Sequence, residues 1–273
     1  MTSRRPTIGV FDSGFGGLTV LKALLEVIPE ADYVYFGDTA RLPYGSKSVE
    51  TVARYAVEAA HFLENQKAEL LVIACNTATA LALDQITAAA HVPVVGVVEP
   101  GAEAANAISR NKKIVVVGTE ATISSHAYRK ALERLGMKAH EKACPLLVPL
   151  VEEGWVDHAV TEEIARIYLG DAFADGFRDA DTLVLGCTHY PLLKPLLRRV
   201  APGHVEIVDS AESTARAVAA RLGSLLTPAA IEERRAAPRL KFFATDSVEK
   251  FRKLGASFLG HAIDDVQHVD LKE

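Results

Sequence analysis

Three short runs fix the architecture of this chain. Leu70–Ala74, Lys113–Gly118 and Thr182–Gly186 are almost continuously apolar and lack the alternation of a strand with one wet face. Strands of that kind are covered on both faces, as in parallel sheets. Further strands are expected at Thr7–Phe11, Tyr33–Gly37, Val92–Val98, Pro145–Pro149, Val205–Asp209 and Leu240–Ala244. Between them lie alanine-rich, helix-period stretches such as Gly17–Val27, Val49–Gln66, Ala78–Ala90, Ser124–Leu135 and Thr161–Phe173. Repeated strand–helix alternation specifies an α/β fold with right-handed crossovers. A (β/α)8 barrel would use a similar number of units. Two doubly wound lobes are favoured instead, because two segments match. Cys75 closes Leu70–Ala74 and precedes Asn76-Thr77, while Cys187 closes Leu183–Gly186 and precedes Thr188-His189. The first lobe is expected to end near Val98–Gly101, and the strand Lys113–Gly118 to open the second.

Composition narrows the function classes. A chain of 273 residues, 49% apolar and 24% charged, can bury a full core without disulfides or metals. The net charge of −5 gives no general attraction to nucleic acid or anionic membranes. No apolar run approaches the roughly 20 residues of a membrane span. Met1–Arg5 reads as a short exposed tail without a separate apolar targeting region. Three cysteines without a CxxC pair fit a reducing cytoplasm. With nine scattered histidines they show no zinc-ligand spacing. The segment 228–238, with Glu232-Glu233-Arg234-Arg235, is expected to be an exposed charged turn or short helix.

In open α/β sheets ligands collect beyond the carboxyl ends of strands, which singles out four loops. Asp12-Ser13-Gly14-Phe15-Gly16-Gly17 follows the first strand. Its glycines turn tightly and can present backbone N–H groups to an anion. It is neither a dinucleotide fingerprint nor a Walker loop, since Thr19 stands where GxGxxG needs its last glycine and no Lys-Ser/Thr follows. Asp12 can equally serve as an Asx-turn or N-cap residue. Pro43-Tyr44-Gly45 forms a tight turn whose N–H groups could hold a carboxylate. The other two loops begin at Cys75 and Cys187. A lone strand-end thiol is more often packing than function. Two at matched strand ends, each among small polar residues, point the other way. A thiol near a helix amino terminus is expected to have its pKa lowered from about 8.5. His189 is placed to tune or relay the proton of Cys187, and Asp12 that of Cys75. A disulfide between Cys75 and Cys187 would be an oxidation artefact, and Cys144 reads as packing.

These segments resemble those of the cofactor-independent glutamate racemases, within the aspartate/glutamate racemase superfamily. The resemblance rests on Gly9–Gly14, Gly16–Thr19, Asp38–Arg41, Pro43–Gly45, Ala74–Ala78, Gly186–Pro191 and Val208–Ser210, in order over about 200 residues. It implies two flavodoxin-like lobes related by a pseudo-twofold axis, with the site between them. It implies that the C-terminal segment rejoins the first lobe, so that residues 1–98 and 208–273 form one lobe and 99–207 the other. It also implies a bacterial cytoplasmic isomerase that supplies D-glutamate for peptidoglycan, and hence for cell-wall biogenesis and cell shape. Carried over by position, Cys75 and Cys187 are the paired acid/base residues, assisted by Asp12 and His189. Ser13, Tyr44, Gly45, Asn76, Thr77, Thr188 and His189, with Asp12, match substrate-binding positions. A glutamate in Pro149–Glu153 contributes in relatives, and Glu152 is favoured over Glu153.

The chemistry fits these residue types. Racemisation removes a weakly acidic Cα proton and returns one to the opposite face. Two bases on opposite faces do this without moving, one ionised and one protonated. No Schiff-base lysine motif is evident and no cofactor is expected, so carbanion stabilisation falls to hydrogen bonds at the substrate carboxylate. The expected partner is glutamate alone, with no nucleic acid and no membrane, and the sequence leaves monomer or homodimer open. Three alternatives remain: an aspartate racemase using the same thiols, a two-lobed binding protein without turnover, and a cysteine hydrolase needing one thiol.

Overall fold

The computed structural model describes residues 5–223 and 237–271, so most of the expected charged turn at 228–238 lies outside the described residues. The chain builds two parallel sheets. In chain order the first half gives β1 (Thr7–Asp12), α1 (Leu18–Val27), β2 (Asp32–Gly37), α2 (Val49–Asn65), β3 (Leu70–Ile73), α3 (Asn76–Ala89), β4 (Val94–Gly96) and α4 (Val98–Ile108). The second gives β5 (Lys113–Gly118), α5 (Glu120–Ser124), α6 (Ala127–Arg134), β6 (Lys138–Ala143), α7 (Leu147–Glu152), α8 (Ala159–Ala172), β7 (Thr182–Gly186), α9 (Lys194–Val200) and β8 (Glu206–Asp209). α10 (Ser210–Leu222), β9 (Leu240–Ala244), α11 (Val248–Leu259) and β10 (Val266–His268) complete the described chain.

The six-stranded sheet has the order β10-β9-β2-β1-β3-β4, and the four-stranded sheet β6-β5-β7-β8. The block 2-1-3-4 of the first therefore repeats as 6-5-7-8 in the second. β1 corresponds to β5 and β3 to β7, so Cys75 and Cys187 leave equivalent strands. Both sheets reverse direction of winding at that central pair, which is where a cleft opens in such folds.

The two-face burial expected of the apolar runs is observed. Leu70 and Val72 of β3 pack with α1 and α10, while Leu71 and Ile73 turn to α2 and α3. In β7, Leu183 and Leu185 join the layer of α7, α8 and α9, and Val184 the layer of α4 and α6. α10 leaves the second sheet after β8 and packs on both α1 and α4, and β9 then pairs with β2 in the first sheet.

Several expectations need correction. No strand forms over Pro145–Pro149; Leu147–Glu152 is the helix α7. Pro149 sits in its first turn, where a missing N–H costs nothing. The strand lies earlier, at Lys138–Ala143, as an edge whose charged residues hide the apolar signal. The strand expected over Val92–Val98 shrinks to Val94–Gly96, since Val98-Glu99-Pro100 already starts α4. Ser124–Leu135 is two helices, broken at His126 in the left-handed region (φ 55°). Arg5 is not part of an exposed tail: it is buried, and its Nε donates to the Glu30 carbonyl at 3.1 Å and faces Asp32 at 3.6 Å.

Leu185 is fully buried in the central strand of the second sheet. Leu185→Ala should cost roughly 2–5 kcal/mol of stability, read as a lower urea midpoint. An unchanged midpoint would contradict two-face burial of β7.

Candidate active site

The carboxyl ends of β1, β3, β5 and β7 converge on one cavity of about 270 Å³, near the small end of the range for ligand pockets. Both Cys75 and Cys187 line it. So do Ser13, Tyr44, Gly45, Asn76, Thr77, Thr188 and His189. Two residues singled out in the sequence stand behind this wall. Glu152 touches His189, and Asp12 touches Thr188. All three cysteines are free, and Cys144 is buried away from the cavity, its thiol 3.6 Å from the Lys142 carbonyl.

Cys75 is the N-cap of α3, and its sulfur accepts from the Ala78 N–H at 3.4 Å. Its thiol faces the Ser13 hydroxyl at 3.5 Å. The helix terminus does not lower this thiol's pKa as expected. Burial, followed by the nearby Asp12 charge, pushes it up to about 12, against the opposing hydrogen bonds of Ala78 and Ser13. Cys75 therefore carries its proton at neutral pH. Beyond it, the hydroxyl of Thr77 lies 2.9 Å from that of Thr119 and 3.2 Å from that of Thr122, joining the two halves of the chain. The Tyr44 hydroxyl donates to Asp38 Oδ2 at 2.6 Å, which anchors the Tyr44–Gly45 wall from behind.

Cys187 has different surroundings. Its sulfur lies 4.0 Å from His189 Nδ1. His189 Nε2 is 3.2 Å from Glu152 Oε1, and Glu152 Oε2 is 3.2 Å from Lys250 Nζ on α11. Burial disfavours an imidazolium at His189, but Cys187, Glu152 and Asp12 outweigh it and raise the pKa to about 10. Glu152 likewise has burial against its charge, yet His189 and Lys250 hold it below the usual carboxylate range. At neutral pH an imidazolium and a carboxylate therefore stand between Cys187 and Lys250.

Asp12 is fully buried. Its Oδ2 accepts from the Gly14 N–H at 2.9 Å, the expected Asx turn, and its Oδ1 from Thr188 Oγ1 at 3.4 Å. Burial raises its pKa, opposed first by His189 and then by the N–H groups of Gly14 and Gly17. Gly16 permits this contact between lobes: a Cβ there would stand 2.6 Å from His189 Nδ1 and collide with Thr188.

The cavity includes residues the sequence reading passed over. Thr119 and Glu120 follow β5, and Val148 and Pro149 belong to α7. A signal for the first pair existed. β5 is the counterpart of β1, so the loop after Gly118 stands where Asp12-Ser13 stands in the first sheet. Among the described residues no cluster of three or more His, Cys, Asp or Glu could hold a metal ion, and no helix is long and apolar enough to cross a membrane.

Two parallel α/β lobes with a thiol at the equivalent strand of each, facing one cleft, define an amino-acid racemase architecture. A sequence profile described as Asp/Glu/hydantoin racemase matches residues 8–218. The chain is 61% identical to a glutamate racemase from Koribacter versatilis, covering 99% of each. Among solved structures it is similar to a glutamate racemase isoform from Bacillus anthracis, with TM-score 0.88 and 39% identity over 97% of this chain and 98% of that one. It is equally similar to the Francisella tularensis glutamate racemase in complex with D-glutamate, with TM-score 0.88 and 34% identity over 98% of each chain. The chain belongs to the Asp/Glu/hydantoin racemase family, and within that family to the glutamate racemases.

The His189 site has a consequence for stability. Its folded pKa of about 10 lies above the unfolded value of about 6.5. Its contribution is therefore complete below pH 6.5 and lost as pH rises through 10. Relative to His189→Asn, the native protein should lose urea resistance steadily between those limits. A pH-independent difference would refute the buried imidazolium.

Proposed function

We propose that Cys75 and Cys187 interconvert L- and D-glutamate as a two-thiol acid/base pair. The observation that carries this is that both sulfurs, leaving equivalent strands, line the same small cavity. With L-glutamate, the Cys187 thiolate removes the Cα proton and the Cys75 thiol delivers its own to the opposite face. One C–H bond breaks and one forms, and the proton inventory of the two sulfurs is exchanged. The enzyme then holds Cys75 as thiolate and Cys187 as thiol, the arrangement that D-glutamate needs. Burial keeps Cys75 protonated in the free protein, which readies it to deliver a proton to the carbanion formed from L-glutamate.

The carbanion places charge on the substrate carboxylate. Neutral donors lining the cavity answer it: Asn76, Thr77, Thr188 and the Ser13 loop, with the Tyr44–Gly45 wall on the far side. Asp12 and Glu152 act through Thr188 and His189 rather than on substrate. No cofactor enters this scheme. It places the protein in the bacterial cytoplasm, supplying D-glutamate for peptidoglycan. Residues 1–98 and 208–273 would form one lobe and 99–207 the other. We draw the second crossing just after Asp209, because β8 pairs along its length with β7.

Cys75→Ala and Cys187→Ala should each abolish racemisation, followed by polarimetry with L-glutamate and L-aspartate as alternative substrates, while circular dichroism stays native. Full activity in either variant would sink the two-thiol scheme. In heavy water, product glutamate should carry deuterium at Cα; racemisation without exchange would argue against thiol bases that meet solvent.

Asp12→Asn and His189→Asn should lower kcat more than they raise KM. Their effects on the two directions should differ in kcat and in KM separately. The ratio kcat/KM must stay equal for both enantiomers, because mirror-image substrates have equal free energy in water. A helper variant that changes only KM would be a binding residue instead.

A further inference from the structure

Asn76 presents a half-satisfied side chain to the cavity. It is 2% exposed, its Oδ1 accepts from the Tyr128 hydroxyl at 2.6 Å, and its Nδ2 has no partner among the described residues. An unpaired buried amide N–H carries a desolvation penalty, so these donors need an acceptor brought by a ligand. Their direction is decided elsewhere. Turned by half a rotation, the amide would show the cavity its oxygen and repel a carboxylate. The Ser210 side chain stands beside the Tyr128 hydroxyl, both of them against Gly101. The single Tyr128 proton goes to Asn76, which requires the amide oxygen on that side and the NH2 on the other.

The relay crosses the molecule. Asn76 opens α3 on the first sheet, Tyr128 belongs to α6 on the second, and Ser210 opens the connecting helix α10. The Tyr128 ring is fully buried and fills space left beside Gly101 and Gly186, where a Cβ would stand 3.2 and 3.0 Å from ring carbons. The ring cannot swing away, so its hydroxyl is a fixed reference for the amide.

We propose that Tyr128 is a positioning residue for racemisation: its hydroxyl holds the Asn76 amide with both N–H groups aimed at the substrate carboxylate. This rests on the reading that the cavity binds glutamate. The carboxylate gains charge as the Cα proton leaves, so a correctly aimed donor favours the transition state more than the ground state.

The test is a double-variant cycle on the full chain, with Tyr128→Phe, Asn76→Ala and the pair. Tyr128→Phe retains the ring and removes the hydroxyl. It should lower kcat/KM for both enantiomers about tenfold, with kcat falling as well as KM rising. In the Asn76→Ala background the same change should cost less than twofold. Native activity in Tyr128→Phe, or an equal loss in both backgrounds, would overturn the proposal and leave Tyr128 as packing. Should Tyr128→Phe fail to fold, Ser210→Ala takes its place in the same two backgrounds under the same criterion. Failure of the underlying reading is separate: the native protein would then not racemise glutamate at all.

Discussion

Charge is buried between the two halves of this molecule, and the site depends on how that charge is matched. Asp12 lies under the β1 loop with no exposure, and His189 is 4% exposed beside it. Neither would remain ionised there alone. They persist as a set, with Asp12 held by Gly14 and Thr188 and His189 held by Glu152, while Lys250 closes the row from α11. Thr188, His189 and Glu152 come from the second sheet's side, Asp12 and Lys250 from the first, so the contacts Asp12–Thr188 and Glu152–Lys250 cross between the halves. Separating the halves would therefore strand charges in low dielectric, where removing one partner of a buried pair costs several kcal/mol. Lobe contact and active-site electrostatics are one interaction.

Neutral groups close the other side of the cleft. The hydroxyls of Thr77, Thr119 and Thr122 form a triangle, and the Tyr128 hydroxyl reaches Asn76. At Cys75 the nearby Asp12 opposes a thiolate, while the Ala78 N–H and the Ser13 hydroxyl favour one.

Much of this was legible in the sequence. β5 and β7 have the limits read from their apolar runs, because strands buried on both faces carry an unmixed signal. The thiol pair was legible from position alone, since a cysteine closing such a run must sit at a strand end. The illegible parts share a different cause. β6 is an edge strand reading Lys-Ala-His-Glu-Lys-Ala, where solvent removes the pattern. Glu152 was reachable only through the resemblance, because its segment looked like a strand and its value comes from His189, 37 residues away in sequence. Tyr128 gives no sign at all. A tyrosine on a helix is ordinarily core, and only the fold brings its hydroxyl to Asn76, 52 residues upstream. Thr119 was within reach and missed: the rule applied to the loops after β1, β3 and β7 was not applied after β5.

The repeat in topology and the difference in surroundings answer separate demands. The proposed two-thiol scheme needs two groups at fixed, opposed positions, and the repeated 2-1-3-4 sheet order places Cys75 and Cys187 at equivalent strand ends through backbone alone. Identical surroundings would give both thiols the same proton affinity. The free enzyme would then divide between useful and useless protonation states, including those with two protons or none. Here the surroundings differ: burial and the nearby Asp12 raise the proton affinity of Cys75, while His189 Nδ1 stands 4.0 Å from the Cys187 sulfur. The asymmetry cannot favour one enantiomer at equilibrium. What it can do, under the proposed two-thiol scheme, is fill one of the four protonation states at the expense of the others.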